Sequence, residues 1–192
     1  MEARIDAIDC ANFTAVMSTE QANLLKAFGV RRVIVGGSYG TIARAQLEAA
    51  VANNFEVEAY SWISKPYSAL RIANVLNAIA GLPIKRIWLD AEDEAAAGSW
   101  ISENLDDIRS AIAFVRFARP DLEIGIYSGA GWWRANTGNY QGQDICSLPL
   151  WLANYRNPVG VADYRTLLFG GWTSAVMWQY AGTTDTAGLN TD

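Results

Sequence analysis

The chain has 192 residues, enough for one sizeable core, and carries 20 acidic against 15 basic side chains for a net charge of −5. That balance, with no basic cluster longer than Arg31-Arg32, excludes nucleic acid as a partner. The chain contains no histidine, which removes Ser-His-Asp and Cys-His catalysis and the common zinc sites, and carboxylates remain to do chemistry.

Two cysteines, Cys10 and Cys146, are too few for a disulfide framework, and their spacing leaves open whether they pair. Residues 1–6 lack an apolar h-region, and no apolar run approaches about 18 residues, so neither a signal peptide nor a membrane span is expected.

In chain order, residues 5–9 read as a short strand ending in an acid, Asp9. Residues 18–29 have a capping-type start, apolar Leu24, Leu25 and Phe28 at helical spacing, and a terminating Gly29. A strand over 30–35 precedes a helix over 41–53, and a third strand over 57–63 precedes a helix that runs to Ala80 with Pro66 in its first turn. The fourth strand, 84–90, is followed by a helix over 103–118, a strand over 124–128 and a short Trp-rich helical turn over 129–136. Residues 136–143 read as a loose surface loop. Strands over 148–153 and 175–180 then flank a stretch, 154–171, without clear helical periodicity. The pattern predicts an α/β fold, an irregular TIM-like barrel of about five βα units followed by three strands with few helices, in a single domain over residues 1–192; an open doubly wound sheet is the competing architecture.

The chemistry centres on Arg86-Ile-Trp-Leu-Asp-Ala-Glu-Asp-Glu94. The strand is apolar and β-branched, and it ends in acid. Asp90 and Glu92 are two residues apart, which in extended chain puts both side chains on one side with Cα atoms roughly 6–7 Å apart. Paired carboxylates at the carboxyl end of a buried parallel strand suit general acid catalysis, because neighbouring like charge raises one pKa. A solvated acidic loop is the structural alternative, since Asp93 and Glu94 continue the run.

Gly36-Gly-Ser-Tyr-Gly40 fits the G-x-S-x-G elbow of serine hydrolases and lies between a strand and a helix. Without histidine the serine has no ordinary base, so the glycines are read as a tight βα turn. A dinucleotide fingerprint fails as well, because Glu56 and Glu58 fall at the start of the next strand and not its end. Asp144, Asp163 and Glu123 read as single solvated acids, and Cys10 as a small buried residue.

Taken together, Asp9 on the first strand, Leu89-Asp-Ala-Glu92 on the fourth, Gly125-Ile-Tyr-Ser-Gly-Ala-Gly-Trp-Trp133, Pro149-Leu-Trp-Leu-Ala-Asn-Tyr155 and Met177-Trp-Gln-Tyr180 resemble the glycoside hydrolase family 25 lysozymes over essentially the whole chain. The resemblance implies cleavage of the β-1,4 bond between N-acetylmuramic acid and N-acetylglucosamine in peptidoglycan, without metal or cofactor, by a monomer acting outside the cell or in phage lysis. By the same resemblance Glu92 is the general acid and Asp90 its partner, orienting the 2-acetamido group or stabilising charge at the anomeric carbon. Asp9 matches the acid of the first strand, and Asp185, with Asp192 behind it, the acid after the Trp-Gln-Tyr strand. Tyr60, Trp62, Tyr127, Trp151, Tyr155 and Gln179 would bind the sugar. The chain departs from the family at Ser61, where histidine is usual, and at Cys10-Ala11, where a polar pair is common. A carbohydrate-binding protein on the same barrel is the alternative function.

Overall fold

The structure of the chain, a computed structural model, describes residues 6–11, 14–38, 41–63, 65–92, 100–155, 163–182, 184–186 and 189–191, with the backbone alone at 41, 184–186 and 189–191. Strands and helices alternate through β1 (Ala7–Cys10), α1 (Thr19–Ala27), β2 (Arg32–Gly36), α2 (Thr41–Ala52), β3 (Glu56–Trp62), α3 (Ser68–Ile79), β4 (Arg86–Asp90), α4 (Ile101–Ala118), β5 (Glu123–Gly129) and α5 (Ala130–Thr137). Then follow α6 (Gln143–Cys146), β6 (Leu150–Ala153), a 3-10 turn at Tyr164–Leu167, β7 (Met177–Gln179), β8 (Thr184–Thr186) and β9 (Leu189–Thr191).

Strands β1 to β7 form one parallel sheet in sequence order. The sheet curls until its two ends communicate: Gln179 on β7 reaches Asp9 on β1, and Arg32 Nη1 on β2 lies 3.3 Å from Met177 Sδ on β7. This is the irregular TIM-like barrel that the βα alternation predicts, with one difference in its last part. Among the described residues, only β6 and β7 of the final strands join the sheet; β8 and β9 pair antiparallel with each other, and β9 approaches β1. Two residues separate β8 from β9, too few for the crossover that a parallel neighbour needs.

Local chemistry sets the element ends. Ser18 caps α1 with a reciprocal box, its Oγ accepting the Gln21 amide at 3.2 Å while Gln21 Oε1 accepts the Ser18 amide at 2.9 Å. Gly29 follows with φ +97°, a conformation that costs glycine little. Helix α4 buries Leu105, Ile108, Ala111, Ile112 and Val115, the spacing of one apolar face. Pro66 lies before the first residue of α3, Ser68, and not inside its first turn as expected. The 136–143 stretch is also not loose: Tyr140 donates its hydroxyl to Asp144 at 2.7 Å, accepts from Arg109 at 2.9 Å, and accepts the Trp133 indole N–H on its carbonyl at 3.0 Å.

Alternation along the strands divides their side chains between two cores. Ile8, Val33, Val35, Ala59, Ile87, Leu89, Ile126 and Leu152 face the helices. Ile34, Trp88, Tyr127 and Trp151 fill the barrel, with Tyr60, Ala153 and Met177 against them. Trp88 meets Trp151 edge-on at 5.7 Å between centroids, and Trp151 meets Tyr127 likewise at 4.6 Å. Gly125 is the register partner of Trp88, and a Cβ there would overlap the indole ring.

Beneath these rings, at the amino ends of the strands, lies a charged floor. Glu58 accepts the Trp88 indole N–H at 2.5 Å and Arg86 Nη1 at 3.1 Å, with Arg32 Nε 3.6 Å away. Arg32 and Arg86 also bind Glu56 and Glu123. Glu123, half exposed, is therefore a solvated acid as expected, and it also carries an ion pair. The same holds for Asp144 with Arg109 and Asp163 with Arg165.

Candidate active site

The acids lie at the opposite, carboxyl end of the barrel. Asp9 is the third residue of β1 and Asp90 the last of β4, both nearly buried. The ladder runs one residue past β4, since the Ala91 amide donates to the Tyr127 carbonyl at 2.9 Å and Ser128 Oγ donates to the Ala91 carbonyl at 2.7 Å. Extended backbone through Ala91, which is buried, carries Glu92 to the same side as Asp90, and Glu92 is exposed at the mouth. Asp93 and Glu94 lie outside the described residues.

Tyr127 ties the acids together. Its hydroxyl donates to Gln179 Oε1 at 2.5 Å, and Gln179 Nε2 points at both Asp9 oxygens over a long 3.4 and 3.5 Å. Burial pushes the Tyr127 hydroxyl far above its ordinary pKa; the charges of Glu92 and then Asp90, and the hydrogen bond with Tyr155, act the same way. The phenol therefore stays protonated and serves as a fixed donor. Asp90, the register partner of Tyr127, and Asp9, which Tyr127 reaches only through Gln179, thus lie at one end of the barrel, although they come from the fourth and first strands.

The aromatic residues divide by depth. Trp151 and Tyr127 are both 5% exposed, so Trp151 forms a floor under the site instead of an open wall. Tyr155, just past β6, is 60% exposed, and its hydroxyl sits 3.3 Å from that of Tyr127. Tyr60 is half-buried over Gly36, where any Cβ would collide with its ring. Trp62 is half-buried and is the direct register partner of Asp90. Asp185 is in β8 opposite Asn190; its side chain, and Asp192, lie outside the described residues.

Two of the residues that depart from the family pattern, Ser61 and Cys10, turn away from this mouth. Ser61 is fully buried and alternates to the helix side, and Cys10 belongs to the outer core. Both cysteines are buried free thiols. Ser38, the central residue of the elbow-like motif, braces the neighbouring strand and helix. Its Oγ accepts the Trp62 amide at 3.1 Å and its carbonyl accepts Asn74 Nδ2 at 3.2 Å. Tyr39 and Gly40 of that motif lie outside the described residues. Sequence reasoning missed the Glu58–Trp88 bond and the function of Ser38. Only the alternation of Glu56, Glu58 and Tyr60 on β3 hinted that these acids face the barrel.

Among the described residues, no group of three or more Cys, Asp or Glu side chains is arranged to hold a metal ion, and no helix is long and apolar enough to cross a membrane.

A curled parallel sheet with acids at the carboxyl ends of its first and fourth strands makes this an irregular TIM-like barrel with a carboxylate-bearing mouth. The chain belongs to the Lys-1 family, described as Lysozyme-like protein 1, whose model matches residues 5–180. It is 28% identical over 198 residues to "Probable GH family 25 lysozyme 3" of Dictyostelium discoideum, covering 96% of this chain and 39% of that protein. "Counting factor 50" of the same organism is 27% identical, covering 84% of this chain and 56% of that protein. The chain thus spans between two fifths and just over half of these curated relatives. The muramidase from Trichobolus zukalii has the same fold, with a TM-score of 0.73 at 19% identity, over 98% of this chain and 92% of that one.

Proposed function

We propose that this barrel hydrolyses peptidoglycan at the β-1,4 bond between N-acetylmuramic acid and N-acetylglucosamine. The observation that carries the reading is the run Tyr127–Gln179–Asp9 beside Asp90, the register partner of Tyr127, with Glu92 exposed two residues further on. Glu92, exposed at the mouth, is the general acid that protonates the leaving oxygen. Asp90, nearly buried and held in the strand, orients the substrate's acetamido group so that the group itself attacks the anomeric carbon. Asp9 adds negative charge where the oxocarbenium develops, and Gln179 and Tyr127 hold it in place. Tyr155, Tyr60 and Trp62 contact the sugar rings, and by the family resemblance Asp185 is a fourth acid. The substrate lies outside the cell, and the barrel acts as a monomer.

The test is release of reducing ends from purified bacterial walls across pH 3–8, with identification of the first-formed anomer. Retained β-configuration and cleavage at muramic acid support the reading. No turnover on walls, chitin oligomers or other amino-sugar glycans would leave a barrel that only binds.

A further inference from the structure

Trp88 is fully buried in the barrel and takes an indole N–H in with it. A buried donor without an acceptor is costly, so the place of the acceptor decides how the ring lies. Glu58, nearly buried itself, supplies it: its Oε2 accepts the indole N–H at 2.5 Å while its Oε1 accepts Arg86 Nη1 at 3.1 Å. Arg86 also lies over the ring, with Cζ 5.2 Å from the centroid, and is itself held by Glu123. Turning the indole over would carry the N–H away from the carboxylate, so the bond selects one orientation of a flat ring.

From Trp88 the contacts lead up to the mouth. Its register partners are Tyr60 on β3 and Gly125 on β5, and the missing side chain of Gly125 leaves room for the indole. Trp88 meets Trp151 edge-on at 5.7 Å, and Trp151 meets Tyr127 edge-on at 4.6 Å. Tyr127 donates to Gln179 Oε1 at 2.5 Å, which sets the amide with Nε2 toward Asp9. A close-packed interior transmits a displacement, because no void absorbs it.

We propose that Glu58, at the end of the barrel away from the acids, is a positioning residue for the reaction: by holding the Trp88 indole it holds Trp151 and Tyr127, and through them the Gln179 amide that faces Asp9. The proposal rests on the hydrolase reading above. Glu58 acts on turnover through Tyr127, which distinguishes it from a residue that only stabilises the fold.

The experiment is steady-state kinetics on soluble peptidoglycan fragments, with each variant at a temperature where circular dichroism shows it folded. Glu58→Met removes the acceptor at similar volume and should lower kcat roughly 10- to 100-fold, the effect of a displacement of about 1 Å, with KM within about threefold of the parent. Trp88→Phe removes the donor instead and should lower kcat by a similar factor, so the result does not hang on one variant folding. Glu58→Gln keeps an oxygen for the indole N–H and should stay within about threefold of the parent. Glu58→Met combined with Tyr127→Phe should turn over no more slowly than Tyr127→Phe alone, because both changes remove the same positioning. Losses that multiply in the double variant, parent-like kcat in Glu58→Met or Trp88→Phe, or a Glu58→Gln variant as slow as Glu58→Met overturns the positioning role and leaves the hydrolase reading standing. A parent protein that releases no reducing ends from the fragments overturns the hydrolase reading, and this proposal with it.

Discussion

Replacing Gly125 with alanine tests whether the barrel interior positions the site. Gly125 lies opposite Trp88, and the new methyl would overlap Cε3 and Cζ3 of the indole and sit 3.0 Å from Cη2. The ring has nowhere easy to go, since Trp88 is fully buried, bonded to Glu58 through Nε1 and edge-on to Trp151. Overpacking of this kind costs roughly 1–3 kcal/mol, and losing the indole–carboxylate bond adds roughly 1.5–3. The expected loss is about 2.5–6 kcal/mol, or a fall in Tm of at least about 5 °C for a chain of this size. Displacement of Trp88 presses Trp151 against Tyr127, so kcat should fall as well. Thermal and urea unfolding give the stability change. Gly131→Ala is the matched control: it lies in α5 with nothing within 4 Å of its added Cβ, and should be neutral or stabilising by roughly 0.5–1 kcal/mol. A Gly125→Ala protein within about 1 kcal/mol of the parent would refute the claim that this layer is close-packed.

Glu92→Gln should lower kcat by roughly 10²–10⁴ while leaving glycan binding nearly intact, and Asp90→Asn should be comparably severe; parent-like turnover in Glu92→Gln would move the proton donor elsewhere, with Asp9 next in line. Ser38→Ala strands the Trp62 amide and should cost roughly 1–3 kcal/mol in unfolding experiments while turnover stays within about tenfold of the parent, whereas a nucleophilic serine would lose roughly 10⁴ or more. The Arg109 guanidinium, and then the Tyr140 hydroxyl, hold Asp144 below its ordinary pKa of 3.8. Because the folded-state pKa is the lower one, the stabilisation is present above about pH 4 and is lost as pH falls through the depressed value. Carboxyl NMR titration should find the Asp144 midpoint returning toward 3.8 in Arg109→Gln; an unmoved midpoint would mean that the ion pair does not set it.

Much of the fold was legible in the chain because it is local. Ser18 and Gly29 announce the ends of a helix, and the apolar runs separated by helical periodicity announce βα units, since each signal depends on residues a few positions apart. The Asp90–Glu92 pair is equally local: strand alternation alone puts the two acids on one side. Chemistry by elimination also needed no structure, because a chain without histidine leaves carboxylates to act. What only the tertiary structure decided is everything that depends on curling the sheet. Gln179 meets Asp9 across the whole chain, and Tyr127 brings both beside Asp90, its register partner on β4. Glu58, which by position on its strand looked like a failed cofactor ligand, anchors Trp88 in the barrel floor. Ser38 became a brace for Trp62, and Ser61 and Cys10 turned away from the mouth, because which side of a strand is the inside is fixed by closure of the barrel. Alternation says that two faces differ, but only packing against the helices on one side and against the opposite wall on the other says which face does the chemistry.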